Sequence, residues 1–460
     1  MEISKYIITQ DLGDPAGTFL VYSTLTTALV TVDRCVYHKI FELSDFSDKQ
    51  LTERLIRLGI LTPSHTSQIR QLEEQRVESM NSERQHITIF TTTNCNARCF
   101  YCFENGIKHI DMSKEAADAT IQFVFDNFPH KDLSIGWIGG EPLLRFDTIE
   151  YITKRLFESG YNLTAGVSTN GILLTEDMIK TFKQYNRQMA VQFSLDAAVG
   201  KDYYKMKKYV DFDEETAFKH VVDNIAMSID YGLITDVRIN FIPSKIDDAK
   251  NAFKTIKEMI SGRDLSNAFI FLVPLDIPGS KEVISDFHGN MEHPCLQAIK
   301  FQKAMGFGTP RRQRATPIRD TLENTHGDII ASYALMPTCY TCGMTTKYKY
   351  VVDSDGTLYK CHRLAGHLEY SCGNVFDGVN TDSEIYKCFR ETKIRDKQCL
   401  ACSILPICQS GCLGRRILCG DNQKCHKIKQ VQKELVCLCY EESIQTDNNG
   451  IVQINSYARR

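Results

Sequence analysis

Between residues 86 and 275 the chain alternates strand-like and helix-like periodicity six times, and this repeat constrains the fold more than any other feature. Runs with strand character fall at 86–92, 133–138, 162–168, 189–195, 236–242 and 268–273. Helical spacing separates them, for example Phe218, Val221, Val222, Ile225 and Ile229, or Ala249, Ala252, Phe253, Ile256, Met259 and Ile260. Each helix returns the chain to the end where the previous strand began, so the strands must run parallel. Periodicity alone does not say whether such an α/β sheet stays open or curls into a barrel.

At 460 residues the chain exceeds one ordinary core, and two or three domains are expected. Residues 1–85 read as a small α+β domain with strands near 5–9, 18–23 and 28–32. Ser47-Asp48-Lys49-Gln50 has the form of a capping box, and Leu51, Leu55 and Leu58 share one helical face. The polar stretch 66–84 reads as an exposed helix or linker, with a boundary near 85. Residues 276–338 form a weakly patterned bridge whose Arg311, Arg312 and Arg314 read as a solvated loop. Residues 339–445 are cysteine-rich, with a short strand near 348–352 and a turn at Asp353-Ser354-Asp355-Gly356, as in a small domain where metal replaces a core. Residues 446–460 remain as a tail.

The formal net charge of −3 gives no footprint for phosphate backbones or anionic lipid, so neither nucleic acid nor membrane is expected as a partner. The first residues lack the basic and apolar regions of a signal peptide, and no apolar run approaches the ~20 residues of a membrane helix, which predicts a cytoplasmic protein. Eighteen cysteines in a reducing compartment point to metal rather than disulfides. Their placement is uneven: Cys35 stands alone, three lie between 95 and 102, and fourteen lie between Cys295 and Cys439. Cys35, Cys295, Cys372, Cys388, Cys437 and Cys439 follow no pattern and read as small hydrophobes.

Cys95-x3-Cys99-x2-Cys102 follows the first strand of the repeat, where loops at strand C-termini place ligands over a parallel sheet. Three thiolates can hold three irons of a cubane and leave the fourth open. A zinc loop or a run of buried cysteines fits the triplet as well.

With its aromatic Tyr101 before the last cysteine, the triplet resembles the signature of the radical S-adenosylmethionine (SAM) superfamily. The resemblance covers roughly residues 86–275 and implies a partial (β/α)6 TIM-like barrel. It further implies a [4Fe–4S] cluster on Cys95, Cys99 and Cys102, and reductive cleavage of S-adenosylmethionine to a 5′-deoxyadenosyl radical. Later strand ends match in order. Gly139-Gly140-Glu141-Pro142 resembles the motif that meets the methionine amino group. Ser168-Thr169-Asn170, Ser194-Leu195-Asp196 and Arg238 supply groups suited to ribose and methionine.

Downstream, Cys342-x13-Gly356-x4-Cys361 and Cys399-x2-Cys402-x5-Cys408-x3-Cys412 resemble the SPASM extension of radical enzymes that modify peptides. That resemblance implies two auxiliary [4Fe–4S] clusters. One would use Cys361, Cys412, Cys342 and Cys339, the other Cys399, Cys402, Cys408 and Cys425. Cys419 competes with Cys425, Cys339 is alternatively free for a substrate thiolate, and four-cysteine zinc sites remain open.

The N-terminal domain resembles winged-helix-like modules that capture leader peptides by strand pairing. The expected function is a maturase of ribosomally made peptides, forming a cross-link such as a thioether. Its expected partners are a precursor peptide with a leader and an electron donor such as flavodoxin or ferredoxin. Two alternatives are a sulfatase-maturating enzyme, whose family carries an Asp where His362 stands, and a non-catalytic iron–sulfur electron carrier. His362 is the nearest candidate base by position.

Overall fold

The computed structural model describes residues 1–102, 104, 106–198, 206–213, 216–275, 292–306, 343–394, 396–419, 428–445 and 452–454. The expected ligands Cys339, Cys342 and Cys425, and the arginines at 311, 312 and 314, lie outside these residues. The described residues gather into two compact units. One holds those of Asn81–Phe307 and Gly343–Glu391, the other those of Met1–Met80 and Thr392–Arg460.

The first unit is built on an eight-stranded sheet. In spatial order its strands are Ala268–Pro274, Ile234–Phe241, Gln188–Asp196, Asn162–Thr169, Asp132–Ile138, His86–Phe90, Lys349–Val352 and Leu358–Tyr359. Seven run parallel, and the last returns antiparallel as a hairpin. Along Asp132–Ile138 and Asn162–Thr169 one face is buried and the other half-buried. Leu133, Ile135 and Trp137, with Leu163, Ala165 and Val167, pack into a core shared with the helices Lys114–Asn127, Phe146–Glu158 and Glu176–Tyr185. Each large apolar side chain buried there contributes about 1.5–3 kcal/mol. The opposite face carries Ser134, Gly136, Thr164, Gly166, Ser168 and Gln192, small or polar residues that do not fill an interior. The result is a partial TIM-like barrel.

The six expected strands are present. The seventh, Lys349–Val352, was expected in a separate cysteine-rich domain; it instead extends the barrel sheet in parallel register beside His86–Phe90. Its Tyr350, Val351 and Val352 are buried, which gives the β-branched pair a reason to continue the sheet.

In the second unit Ile7–Asp11, Phe19–Ser23 and Leu29–Val32 form an antiparallel meander, joined in parallel by Val452–Ile454. Val21, Val30 and Val32 face Val36, Ile40, Leu55 and Ile60. The helix Lys49–Arg57 starts one residue later than the capping-box reading places it. Ser47 N–H is already held by Asp45, so Asp48 becomes the cap and accepts from Leu51 N–H at 3.1 Å. The polar stretch after residue 65 is a helix, His65–Met80, exposed on one face as expected but buried on the other. Gln68, Leu72, Arg76, Ser79 and Met80 are buried, and Leu72 joins Tyr6, Leu25, Ile394 and Leu405 in a small core. Among the described residues no helix is long and apolar enough to cross a membrane.

Candidate functional site

The first barrel strand runs into Thr91-Thr92-Thr93-Asn94, three buried threonines whose hydroxyls fix the loop that follows. Thr92 Oγ1 donates to Asp111 Oδ1 at 2.5 Å, and Asn94 Nδ2 to the same oxygen at 2.9 Å. These bonds hold the Asp111 carboxyl below its ordinary range. Residues Ala97–Cys99 then form a short strand paired antiparallel with Lys207–Tyr209, with Cys99 opposite Lys207. Cys95, Cys99 and Cys102 all lie on this one loop. Burial pushes the Cys95 thiol up to about 12 and Cys99 to about 11, and raises Cys102.

Gly139-Gly140-Glu141 docks against that loop backbone to backbone. Gly140 N–H donates to Thr92 O at 3.1 Å and Glu141 N–H to Asn94 O at 2.8 Å. A Cβ on Gly140 would stand 2.2 Å from Asn94 O, and one on Gly139 2.2 Å from Thr92 O, where Gly139 also has φ +145°. The glycines thus serve close approach to the cysteine loop itself. Glu141 is fully buried. Its carboxylate accepts from Asn170 N–H and Thr169 Oγ1, each at 2.7 Å, and from Leu143 N–H at 3.1 Å, which ties the second strand end to the third. Burial nonetheless raises its pKa. Asn170 continues the chain of contacts, donating to Asn96 Oδ1 at 2.8 Å.

Ser168 Oγ accepts from Gln192 at 2.8 Å on the half-buried face of the barrel. Asp196, fully buried, receives the Tyr101 hydroxyl on Oδ1 and stands 3.6 Å from Lys207 Nζ through Oδ2. Lys207 also donates to Ser194 O. Burial alone would lower the Lys207 pKa, but Asp196, Tyr209, Cys99 and Cys95 outweigh it and the net shift is upward. Arg238 Nε donates to Asn240 Oδ1 at 2.9 Å, and Asn240 Nδ2 reaches Leu195 O at 3.1 Å. Burial lowers the Arg238 pKa. Tyr101, Asp196, Asn240 and Arg238 therefore form one network. The sequence reading omitted Lys207, Gln192 and Asn240's link to Tyr101. The alternation of Arg238 and Asn240 puts both on one side of their strand in the sequence reading, without the link to Tyr101, whereas Lys207 stands in a short segment without usable periodicity.

Glu104 has a buried Oε2 without a hydrogen-bond partner, and burial and Asp353 raise its pKa to about 7. Ser354 Oγ donates to Phe90 O at 3.1 Å, so the Asp353–Gly356 turn sits on the end of the first barrel strand. His362 follows buried Cys361, and burial and Arg363 lower its pKa to about 4. Cys361 belongs to the barrel unit. Cys399, Cys402, Cys408 and Cys412 belong to the other, where Asp396 caps the turn bearing Cys399 and Gln409-Ser410-Gly411 takes positive φ throughout.

The fit to a cluster and a sulfonium cofactor can be tested on these residues. A cubane asks each thiolate for a different iron, so three cysteines on one loop need not converge on a point, and among the described residues no three metal-ligating side chains do. Asp196 Oδ2 is buried and accepts no hydrogen bond, with the Lys207 ammonium at 3.6 Å, so it keeps acceptor capacity that a bound polar group could use. Residues 89–256 match the radical SAM superfamily. This chain carries a radical SAM domain. The superfamily that this segment matches uses S-adenosylmethionine and a [4Fe–4S] cluster, and the chain is an enzyme.

The chain is 26% identical over 343 residues to a cysteine-type anaerobic sulfatase-maturating enzyme of Clostridium novyi, covering 70% of this chain and 85% of that one. It is 24% identical to the radical SAM cyclopropyl synthase TigE of Paramaledivibacter caminithermalis, over 42% of this chain and 48% of the relative. The radical SAM fold also resembles that of anSMEcpe bound to AdoMet and the Cp18Cys peptide. There the TM-score is 0.56 at 17% identity, over 79% of this chain and 99% of the other. Streptococcus suis SuiB bound to its precursor peptide SuiA gives a TM-score of 0.50 at 14% identity, covering 90% and 96%.

Proposed function

We propose that the chain is a peptide maturase that abstracts hydrogen from a ribosomally made precursor and closes a cross-link such as a thioether. The observation that carries this reading is the union of a radical SAM domain with the spaced cysteines at 361, 399, 402, 408 and 412, in a chain related over most of its length to a protein-modifying enzyme. Cys95, Cys99 and Cys102 would hold the radical cluster. Tyr101, Gly139, Gly140, Glu141, Ser168, Asn170, Ser194, Asp196 and Arg238 would frame S-adenosylmethionine. When bound, that pair supplies a 5′-deoxyadenosyl radical.

The residues themselves do three things. The threonine–Asp111 clamp and the Gly139–Glu141 dock fix the cysteine loop against the sheet. Lys207 sets a positive charge beside Cys99, where a cluster on thiolates concentrates negative charge. The Tyr101–Asp196–Asn240–Arg238 network orients polar groups toward the half-buried face. As the resemblance implies, Cys339, Cys342, Cys361 and Cys412 would hold one further cluster, and Cys399, Cys402, Cys408 and Cys425 another. Either would take up the electron left when a peptide C–H and a cysteine S–H give way to one C–S bond. Co-expression with the peptide of a neighbouring small reading frame tests the reading: loss of hydrogen mass from that peptide supports it, and an unchanged mass contradicts it. The Clostridium novyi relative supports sulfatase maturation as a second reading, but His362 stands where the resemblance places an Asp in that family.

A further inference from the structure

Three consecutive residues between Cys408 and Cys412 stand in the left-handed region: Gln409 at φ 50°, Ser410 at φ 69° and Gly411 at φ 85°. Glycine takes that conformation freely, whereas a residue with a side chain is strained in it. Gln409 follows the short helix Leu405–Cys408 and donates its N–H to Leu405 O at 2.7 Å, and Gly411 N–H closes the turn on Cys408 O at 3.0 Å. Neither bond needs a serine at 410, and a glycine there would make the same turn without strain. What a glycine would lack is the hydroxyl. Ser410 Oγ is buried and has no hydrogen-bond partner among the described residues, a costly state for a group that has given up its water. The neighbouring Gln409 is 2% exposed; its Nε2 donates to Pro406 O at 3.1 Å, and its Oε1 also lacks a partner. That oxygen can only accept, so Ser410 is the side chain of the turn with a donor left to give. The turn is tied to the other cysteine turn of the same unit. Asp396 Oδ1 accepts from Gln398 N–H at 2.9 Å and Cys399 N–H at 3.2 Å, and Cys402 N–H closes on Cys399 O at 2.9 Å. Arg416 spans the two, 3.9 Å from Asp396 Oδ2 and 3.5 Å from Ser410 O.

We propose that the Ser410 hydroxyl donates a hydrogen bond to a sulfur of the auxiliary cluster that Cys399, Cys402 and Cys408 would share, and that it raises the reduction potential of that cluster. The role rests on the auxiliary-cluster reading; the strained turn and its buried hydroxyl do not. Reduction adds one electron to the cluster, and the added negative charge spreads over its sulfurs. A donor aimed at one of them favours the reduced form, as hydrogen bonds to cluster sulfurs do in general. Serine in place of glycine at 410 would thus make the cluster a better acceptor for the electron that peptide modification leaves behind.

The test is a redox titration followed by electron paramagnetic resonance. It uses the full chain, reconstituted with iron and sulfide and carrying Cys95→Ala, Cys99→Ala and Cys102→Ala, so that every cluster signal comes from the second set of cysteines. The signal lost on adding Cys402→Ala marks the cluster in question. Ser410→Ala removes the hydroxyl and keeps the strained backbone, whereas Ser410→Gly removes both, so a folding defect in the first would not be shared by the second. Poised at the midpoint of the parent chain, both variants should hold roughly three- to tenfold less reduced cluster relative to oxidised, tenfold being about 59 mV for one electron. An exchangeable proton coupled to that cluster in pulsed electron–nuclear double resonance should be present in the parent and absent from both. Equal midpoints in parent and variants, a shift in Ser410→Ala alone, or a shift confined to the other cluster would overturn the proposal. Neither readout needs S-adenosylmethionine or a peptide. A second cysteine set that took up zinc or no iron would contradict the cluster reading and the proposal with it; loaded clusters with unmoved midpoints would remove the proposal alone.

Discussion

Lys207 and Asp196 are both almost wholly buried, and each is the other's counter-charge. Lys207→Met leaves a carboxylate in the interior without its cation, and the expected loss is about 3–5 kcal/mol in chemical denaturation of the apo chain. A loss below about 1 kcal/mol would show that the pair is not held as described. Asp111 makes a different, exposed contribution. Its carboxyl is held down by Thr92 first and Asn94 second, so its stabilisation is present above the ordinary carboxylate pKa of about 3.9 and fades as pH falls through the lower folded value. Asp111→Asn should cost about 1 kcal/mol at neutral pH, discounted for exposure, and should converge with the unmodified chain in acid. A difference that stayed constant from pH 7 downward would contradict that origin. At this scale the sequence showed the cysteines and the strand-end polar residues, because each stands where a parallel strand delivers it. It did not show Glu141's partners, since a carboxylate beside two glycines carries no local mark of the Asn170, Thr169 and Leu143 donors it meets.

The barrel strands were legible as elements partly through alternation at period two, as in Asp132–Ile138 and Asn162–Thr169, and partly as short apolar runs such as Ala268–Pro274. Their neighbour Lys349–Val352 was readable as a strand but not as part of the same sheet, because register across a long separation leaves no local mark. Val351 is fully buried and lies between two paired strands, so Val351→Pro is expected to cost about 3 kcal/mol or more and to raise exchange at His86–Phe90. Protection of His86–Phe90 unchanged in that variant would argue against the extended sheet. The helix Lys49–Arg57 gives a smaller test. Asp48→Ala should cost about 1 kcal/mol and Ser47→Ala nearly nothing, the reverse of what the capping-box spacing suggests.

On the maturase reading the radical SAM domain and the second set of cysteines would have separable duties. Cys402→Ala should leave S-adenosylmethionine cleavage intact and impair peptide modification; full modification by that variant would remove the role given to its cluster. The sequence made the order of modules readable, but not that Thr392–Arg460 shares a compact unit with Met1–Met80. Contacts such as Thr24 Oγ1 to Ser403 O at 2.5 Å join residues with no shared pattern. The most direct measurement is 5′-deoxyadenosine released by the anaerobically reconstituted chain given S-adenosylmethionine and a reductant. Release is expected from the unmodified chain and from Cys402→Ala, and none from Cys99→Ala. No release from an unmodified chain fully loaded with iron and sulfide would contradict the assignment of Cys95, Cys99 and Cys102 as the site where the radical is made.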